Sequence, residues 1–325
     1  MQSILAVTVP FFALVLAGYV AGWRHVLPES AIPGLNAFVL YFALPCMLFR
    51  FGLNTPIAEA LNPTVLAVYL LCALLMVFFT IAVSLDEVVG LKDASFGALV
   101  TAFPNTGFMG VPLLAALFGP TIVGPMIATI LIDMFVTSSL CIALAQSGAG
   151  AGAGGSAGGA REAALRSLRG ALSNPMPWAI ALGGACSVLG WRPSGPVDAV
   201  IRMLADAASP VALFTIGAVL WRAGQHAHHR TEPKRFVPQA LMKLLLHPLL
   251  VFLVALAAGQ LGAPLNATQI TAVVLTAALP SAANVAILAE RFGADNGRIA
   301  RIIMTSTVLA FVSFTGLAWV FGARQ

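Results

Sequence analysis

Long apolar stretches, separated by short polar ones, follow one another along almost the whole chain. Each is about 18 to 25 residues long, enough to cross roughly 30 Å of hydrocarbon as an α-helix. The pattern predicts ten transmembrane spans. In chain order they cover residues 4–22, 32–53, 64–84, 94–117, 121–145, 172–190, 199–221, 236–258, 268–290 and 299–321. Because no positively charged stretch precedes the first span, we expect it to be retained rather than removed as a signal peptide.

Composition places the chain among membrane proteins. Hydrophobic residues make up 59% of the sequence and charged residues 9%, whereas a soluble domain carries roughly a quarter charged residues. The sequence thus predicts an all-α membrane protein in contact with membrane lipid. Its cysteines lack metal or redox spacing, and we interpret His226, His228 and His229 as part of a solvated basic loop. We therefore expect neither a metal nor a cofactor.

The distribution of positive charge predicts the orientation in the membrane. Of the 17 lysines and arginines, all but Arg50, Arg192, Arg202 and Arg324 fall in or beside loops that follow odd-numbered spans. Positive residues concentrate on the cytoplasmic side, so both termini should face outward from a plasma membrane. This topology accounts for the net charge of +5, and we expect no nucleic-acid partner.

The chain divides into two halves of five predicted spans. Between them, residues 147–160 read SGAGAGAGGSAGGA, the composition of a flexible linker. Arginines then recur along one side of a short predicted helix, 161–172, which suits the cytoplasmic lipid surface. The predicted division is residues 1–146, a first repeat; 147–171, the linker and short helix; and 172–325, a second repeat. Because five is odd, the second repeat must enter the membrane from the opposite face, which makes the repeats inverted.

Prolines interrupt corresponding spans in the two halves. Pro45 and Pro210 lie in the second span of each half, and Pro104 and Pro280 in the fourth. A proline removes one helical hydrogen bond, and unpaired backbone at membrane depth needs protein or a water-filled cavity as a partner. Inverted repeats with discontinuous helices indicate a secondary transporter whose site lies near the midplane. We expect the breaks in spans 4 and 9 to face each other there; the alternative is prolines that only kink their helices.

The breaks in spans 4 and 9 predict a binding site for an anion. A half-helix that starts beyond each proline would present free N–H groups near residues 105–107 and 281–283, and helix N-termini attract negative charge. Amide and hydroxyl side chains at the same positions add hydrogen bonds. The predicted substrate-binding residues are Pro104, Asn105, Thr106, Gly107, Pro280, Ser281 and Asn284.

Charge inside a membrane span is costly and functional by default, and Asp133 and Lys243 are the two ionisable residues in the predicted spans that we single out. Asp133, near the middle of span 5, is either a proton carrier or a hydrogen-bond partner of a neighbouring helix, and both alternatives stay open. Lys243, four residues before His247 on span 8, either lines a cytoplasmic vestibule or, as we favour, snorkels to the headgroups or forms an internal ion pair. Together with Pro45 and Pro210, Asp133 and Lys243 are candidates for coupling or gating.

Five segments carry a resemblance to a known family: FALPCMLF, FPNTGFMGVPLL, ILIDMF, LMKLLLHPLL and ALPSAANVAILAERFG. In these segments the chain resembles the auxin efflux carrier family, whose bacterial members include proteins described as malonate transporters. The resemblance implies ten transmembrane helices as two inverted five-helix repeats, with spans 4 and 9 broken and crossing. It also implies a scaffold around spans 1, 2, 6 and 7 and a substrate site at Pro104, Asn105, Pro280 and Asn284. The central loop is short here, so phosphorylation of the long loop of many plant exporters is not expected to transfer.

The predicted function is a secondary carrier that moves a small organic anion across the plasma membrane, in bacteria the inner membrane, by alternating access. The resemblance favours a carboxylate such as malonate or an auxin-like acid. Because the crossovers carry no acidic residue near the prolines, proton-linked or potential-driven transport is favoured over sodium coupling. A sodium-coupled symporter and a membrane receptor are the alternatives. An enzyme with catalytic residues is disfavoured, since proteolysis would need two apposed carboxylates; a homodimer is left open.

Overall fold

The computed structural model describes residues 2–55, 61–149, 172, 175–225 and 231–322, and the regular elements in these ranges are helices. Seven helices in these ranges are long and apolar enough to cross a membrane by length and composition: Gln2–Trp23, Glu29–Asn54, Pro63–Ser84, Pro120–Ser147, Gly195–Arg222, Val237–Gln260 and Asn296–Gly322. The protein is therefore an all-helical, multi-pass membrane protein. The twelve helices are α1 (Gln2–Trp23), α2 (Glu29–Asn54), α3 (Pro63–Ser84), α4 (Leu91–Ala102), α5 (Thr106–Phe118), α6 (Pro120–Ser147), α7 (Pro175–Val188), α8 (Gly195–Gln225), α9 (Val237–Gln260), α10 (Ala267–Ala277), α11 (Asn284–Arg291) and α12 (Asn296–Gly322).

Spans 4 and 9 are each split into two helices, as the prolines predict. Span 4 forms α4 and α5, separated beside Pro104, and span 9 forms α10 and α11, separated beside Pro280. Each other predicted span coincides with one helix, while the ten-span count and the inverted repeat stay predictions. Most of the linker, most of the predicted helix at 161–172 and the three loop histidines lie outside the described residues, and the first three linker residues, 147–149, are helical.

The helices α4 and α10 lie at the centre of the protein. Residues 94–102 of α4 and 271–277 of α10 are all buried, whereas α1 buries only four of its 22 residues. A helix that is apolar and buried on all sides is a core helix rather than a lipid-facing one. The breaks that follow α4 and α10 therefore begin in the interior of the protein.

Pro45 and Pro210, unlike Pro104 and Pro280, do not break their helices. The α2 helix continues past Pro45 to Asn54, and Pro210 lies inside the continuous α8. The helix ahead of Pro45 accommodates the missing N–H by widening into a π-turn at Val39–Ala43. A kink needs less backbone rearrangement than a break because only one hydrogen bond is lost.

Four π-turns occur within the described helices. Those in α2, α5 and α9 each end two residues before a proline, which shows the same response to a missing N–H. The π-turn in α6 has another cause, since the Ser138 hydroxyl donates to the backbone oxygen of Asp133 at 2.9 Å. This turn and the one in α9 contain the two buried ionisable residues that the sequence singled out. The four are Val39–Ala43, Thr106–Gly110, Asp133–Thr137 and Met242–Leu246.

Glycines bring two pairs of long helices into backbone contact, α1 with α8 and α2 with α7. A Cβ atom on Gly18 would collide with the backbone oxygen of Phe214, and one on Gly217 with that of Val15. Small residues allow this close approach, which stabilises helix pairs in membranes. These helices correspond to spans 1, 2, 6 and 7, the spans of the expected scaffold. The glycines between α2 and α7 are Gly52 and Gly183.

Candidate functional site

The two helix breaks lie side by side and pair with each other. The Asn105 N–H donates to the Pro280 carbonyl at 2.9 Å, and the Ala282 N–H donates to the Phe103 carbonyl at 3.0 Å. Residues 103–105 and 280–282 thus form a short antiparallel bridge. Each segment supplies the hydrogen-bond partners that hydrocarbon cannot offer to backbone outside a helix.

Four of the six backbone N–H groups that the sequence predicts to be free are already hydrogen-bonded. Those of Asn105 and Ala282 pair across the bridge, and that of Thr106 donates to the carbonyl two residues earlier at 2.8 Å. The Ser281 N–H donates to the Ser306 hydroxyl of α12 at 3.2 Å. The prediction is wrong for these four groups because the two breaks and α12 satisfy one another.

Two free backbone donors remain at the start of each half-helix. The N–H groups of Gly107 and Phe108 in α5, and of Ala283 and Asn284 at the start of α11, have no hydrogen-bond partner within the described residues. Free N–H groups in the first helical turn attract anions. Gly107 and Ala283 are among the donors that the sequence predicted, and Phe108 and Asn284 each lie one residue beyond them.

A cavity of about 900 Å³ reaches the paired breaks. Asn105 and Asn284 both line it, although Asn105 is only 4% exposed. Its wall also includes Gln146 at the end of α6, Pro175 at the start of α7 and Arg291 at the end of α11. The cavity therefore extends from the breaks toward the side of the protein where these helices meet their connecting segments.

The predicted site residues divide into those on the cavity wall and those behind it. Pro280 and Ser281 lie in the bridge but are not on the cavity wall, and the buried Ser281 hydroxyl has no partner among the described residues. The bridge nevertheless keeps all seven residues within two adjoining segments. The members on the wall are Pro104, Asn105, Thr106, Gly107 and Asn284.

Asp133 lies on the cavity wall and is hydrogen-bonded to a neighbouring helix. Its side chain is 1% exposed; Oδ2 accepts from the Tyr69 hydroxyl of α3 at 2.9 Å and Oδ1 from Thr137 at 3.1 Å. The expectation of a hydroxyl partner on another helix is confirmed, and the role of proton carrier stays a prediction. Tyr69 was missed, although a phenol deep in an otherwise apolar span is itself a signal of a buried hydrogen bond.

Lys243 points into the protein, so the prediction that it snorkels to the headgroups is wrong. Its side chain is fully buried, and Nζ donates to the carbonyl of Ala277 at 2.8 Å. The same Nζ lies 3.0 Å from Nδ1 of His247. None of the ion pairs among the described residues includes Lys243. Its ammonium instead caps the C-terminal end of α10, where the helix dipole is negative.

Outside the membrane-spanning helices, Asp86 joins two connecting segments. Its carboxylate accepts from the N–H groups of Val89 at 2.6 Å and Val88 at 2.8 Å, and it pairs with Arg235 at 3.6 Å. These hydrogen bonds, and the Arg235 charge to a smaller degree, hold the pKa of Asp86 below its ordinary value. The segment before α4 is thereby attached to the segment before α9.

Comparison with known proteins identifies the family. A family described as "Membrane transport protein" matches residues 3–318, nearly the whole chain. The chain belongs to this family, that of the auxin efflux carriers. The expected family resemblance is confirmed, and membership in the auxin efflux carrier family indicates a membrane transporter rather than an enzyme.

Several curated relatives match this chain over most of their length. A "Putative malonate transporter" from Rhizobium meliloti is 28% identical over 98% of this chain and 96% of the relative. The "Uncharacterized transporter YfdV" of Escherichia coli strain K12 is 26% identical over 97% of this chain and 96% of the relative. "Auxin efflux carrier component 8" of Arabidopsis thaliana is 22% identical over 85% of this chain and 86% of the relative.

Proposed function

We propose that the protein is a secondary carrier that moves a small organic carboxylate across the plasma membrane by alternating access. The observation that supports this most is the paired helix break at the cavity, where free N–H groups of two half-helices lie beside Asn105 and Asn284. Half-helix N-termini that meet near the midplane bind anionic groups in secondary transporters. No buried cationic side chain on the cavity wall is then needed to attract the carboxylate.

The proposed cargo is malonate or an auxin-like acid. Names of the relatives point to these two compounds, and the cavity wall suits an acid with an apolar part. Phe103 and Phe108 line the cavity beside the breaks, and Phe292 lines it at the end of α11. An apolar or aromatic group would contact these rings while its carboxylate meets the free N–H groups.

Helix pairing supports the proposed arrangement of ten spans in two inverted repeats. If span 1 corresponds to span 6 and span 2 to span 7, then the contact of α1 with α8 corresponds to that of α7 with α2. Both contacts exist and both are made through glycines. The contacts of α3 with α4 and of α9 with α10 form a second matching pair. With both termini outside, as the positive charge predicts, the cavity would face the cytoplasm of an inward-open carrier.

Transport by reconstituted protein tests the proposal. Purified protein in proteoliposomes should take up radiolabelled malonate or indole-3-acetate faster than protein-free liposomes, and it should exchange internal for external label. Uptake of neither acid under any imposed gradient would contradict the proposed function. Saturable binding without uptake would instead favour a membrane receptor.

A further inference from the structure

The buried ammonium group of Lys243 lies at the break between α10 and α11, in a position where a bound cation could be held. The Lys243 Nζ is held by the carbonyl of Ala277, the last residue of α10, at 2.8 Å. In ion-coupled carriers with broken helices, carbonyl groups at such half-helix C-termini coordinate the coupling cation. Lys243 supplies a covalently attached cation at the same kind of position. Its burial is complete, so neither bulk water nor lipid headgroups reach it.

Polar side chains link Lys243 to the cavity. The Lys243 Nζ lies 3.0 Å from Nδ1 of His247, whose ring lies 6.1 Å, centroid to centroid, from the ring of Tyr69. The Tyr69 hydroxyl donates to Asp133, and Asp133 lines the cavity. Nε2 of His247 is buried and has no hydrogen-bond partner among the described residues. This ring nitrogen, between Lys243 and Tyr69, can therefore still donate or accept one hydrogen bond. Two buried thiols interact electrostatically with these groups, Cys72 with Tyr69 and Cys141 with Asp133.

We propose that Lys243 replaces a coupling sodium ion in this protein, and that its proton, exchanged with Asp133, couples carboxylate transport to proton movement. The coupling role rests on the proposed carrier function. In the exchange, the Lys243 ammonium loses one proton and becomes a neutral amine. The Asp133 carboxylate gains that proton, becomes a carboxylic acid and releases it to water in the cavity. When the cavity faces the other side of the membrane, the neutral amine takes up a new proton from cavity water through Asp133. Net charge is conserved at each transfer, and one proton moves per cycle.

Electrostatics gives the reason for coupling. A carboxylate bound at the half-helix starts adds a negative charge close to the break between α10 and α11. Lys243 caps the α10 end of that break. That charge stabilises the protonated, positive form of Lys243, since opposite charges interact strongly where water is excluded. Protonation of Lys243 therefore favours carboxylate binding, and carboxylate binding favours protonation. The loaded carrier contains both the anion and the proton, so the two cross together.

Lys243→Arg separates proton release from binding. Arginine keeps its charge at every accessible pH, so the variant should still exchange internal for external malonate but should lose net uptake driven by an acidic exterior. Wild-type protein should show at least a fivefold stimulation of net malonate uptake by this pH gradient, with no loss when choline replaces sodium. The matched control is Lys234→Arg, because Lys234 is exposed and pairs with Glu232 outside the membrane helices; it should behave as wild type.

A second variant keeps the test decisive if Lys243→Arg fails to fold. Asp133→Asn removes the proton acceptor on the cavity wall and leaves Lys243 in place, so it should also lose gradient-driven uptake and retain exchange. Wild-type uptake that ignores the pH gradient, requires sodium, or keeps its pH dependence in both variants would overturn the coupling role while leaving the carrier function intact. Absence of any malonate or indole-3-acetate flux in the wild type would overturn both.

Discussion

At the scale of residues, the site depends on a few polar groups in an apolar chain. The sequence predicted Asn105 and Asn284 from their position just after the prolines, and both line the cavity. The sequence could not predict which backbone N–H groups stay free. The groups that are bonded find their partners in a segment far along the chain and in Ser306 of α12. The direction of Lys243 was equally hidden, since the carbonyl that it caps is left open only by the neighbouring break.

Removing either asparagine amide should weaken transport without preventing folding. A hydrogen bond to a charged group contributes about 1.5–3 kcal/mol, so Asn105→Ala and Asn284→Ala should each lower malonate transport by roughly tenfold or more. The effect is measured as the initial rate of malonate uptake into proteoliposomes, normalised to the amount of inserted protein. Asn54→Ala is the matched control, because Asn54 lies exposed at the end of α2 and bonds to Arg50 and Arg192. Unchanged uptake in both site variants refutes the assignment of these side chains.

At the scale of elements, prolines predicted where helices would fail, but not how. Pro104 and Pro280 break their helices, whereas Pro45 and Pro210 lie within helices that continue past them. The difference lies in what surrounds each proline, since a break persists where a second unwound segment can pair with it. Close contacts through glycine were also missed, because glycine is frequent in membrane helices and its composition alone does not distinguish a contact from a lipid-facing position.

The contact between α1 and α8 should depend on the absence of a side chain at Gly217. A Cβ there would collide with the backbone of α1 at Val15 and Tyr19, and overpacking of this kind costs about 1–3 kcal/mol. Gly217→Ala should therefore lower the melting temperature in detergent. In Gly316→Ala, the matched control on α12, the new Cβ meets no atom within 4 Å, and alanine favours helix over glycine. If both variants melt at the same temperature as the wild-type protein or at a higher one, the proposed close contact is ruled out.

At the scale of the whole molecule, two kinds of sequence signal converged on one architecture. The run of apolar spans predicted a multi-pass helical protein, and the matching proline positions predicted that two broken spans would meet. Both are observed, and the breaks meet through a backbone bridge between Pro104 and Ser281. The shape and volume of the cavity were beyond prediction, because they depend on how α2, α6, α7 and α11 pack around the bridge.

The central claim is that the paired breaks bind the carboxylate of the cargo. The most direct measurement is an experimental structure of the wild-type protein in lipid nanodiscs with saturating malonate. We expect one carboxylate within hydrogen-bond distance of the Gly107 and Phe108 N–H groups or of those of Ala283 and Asn284, inside the cavity. Malonate bound away from both breaks, or spans 4 and 9 running as continuous helices, would contradict the account.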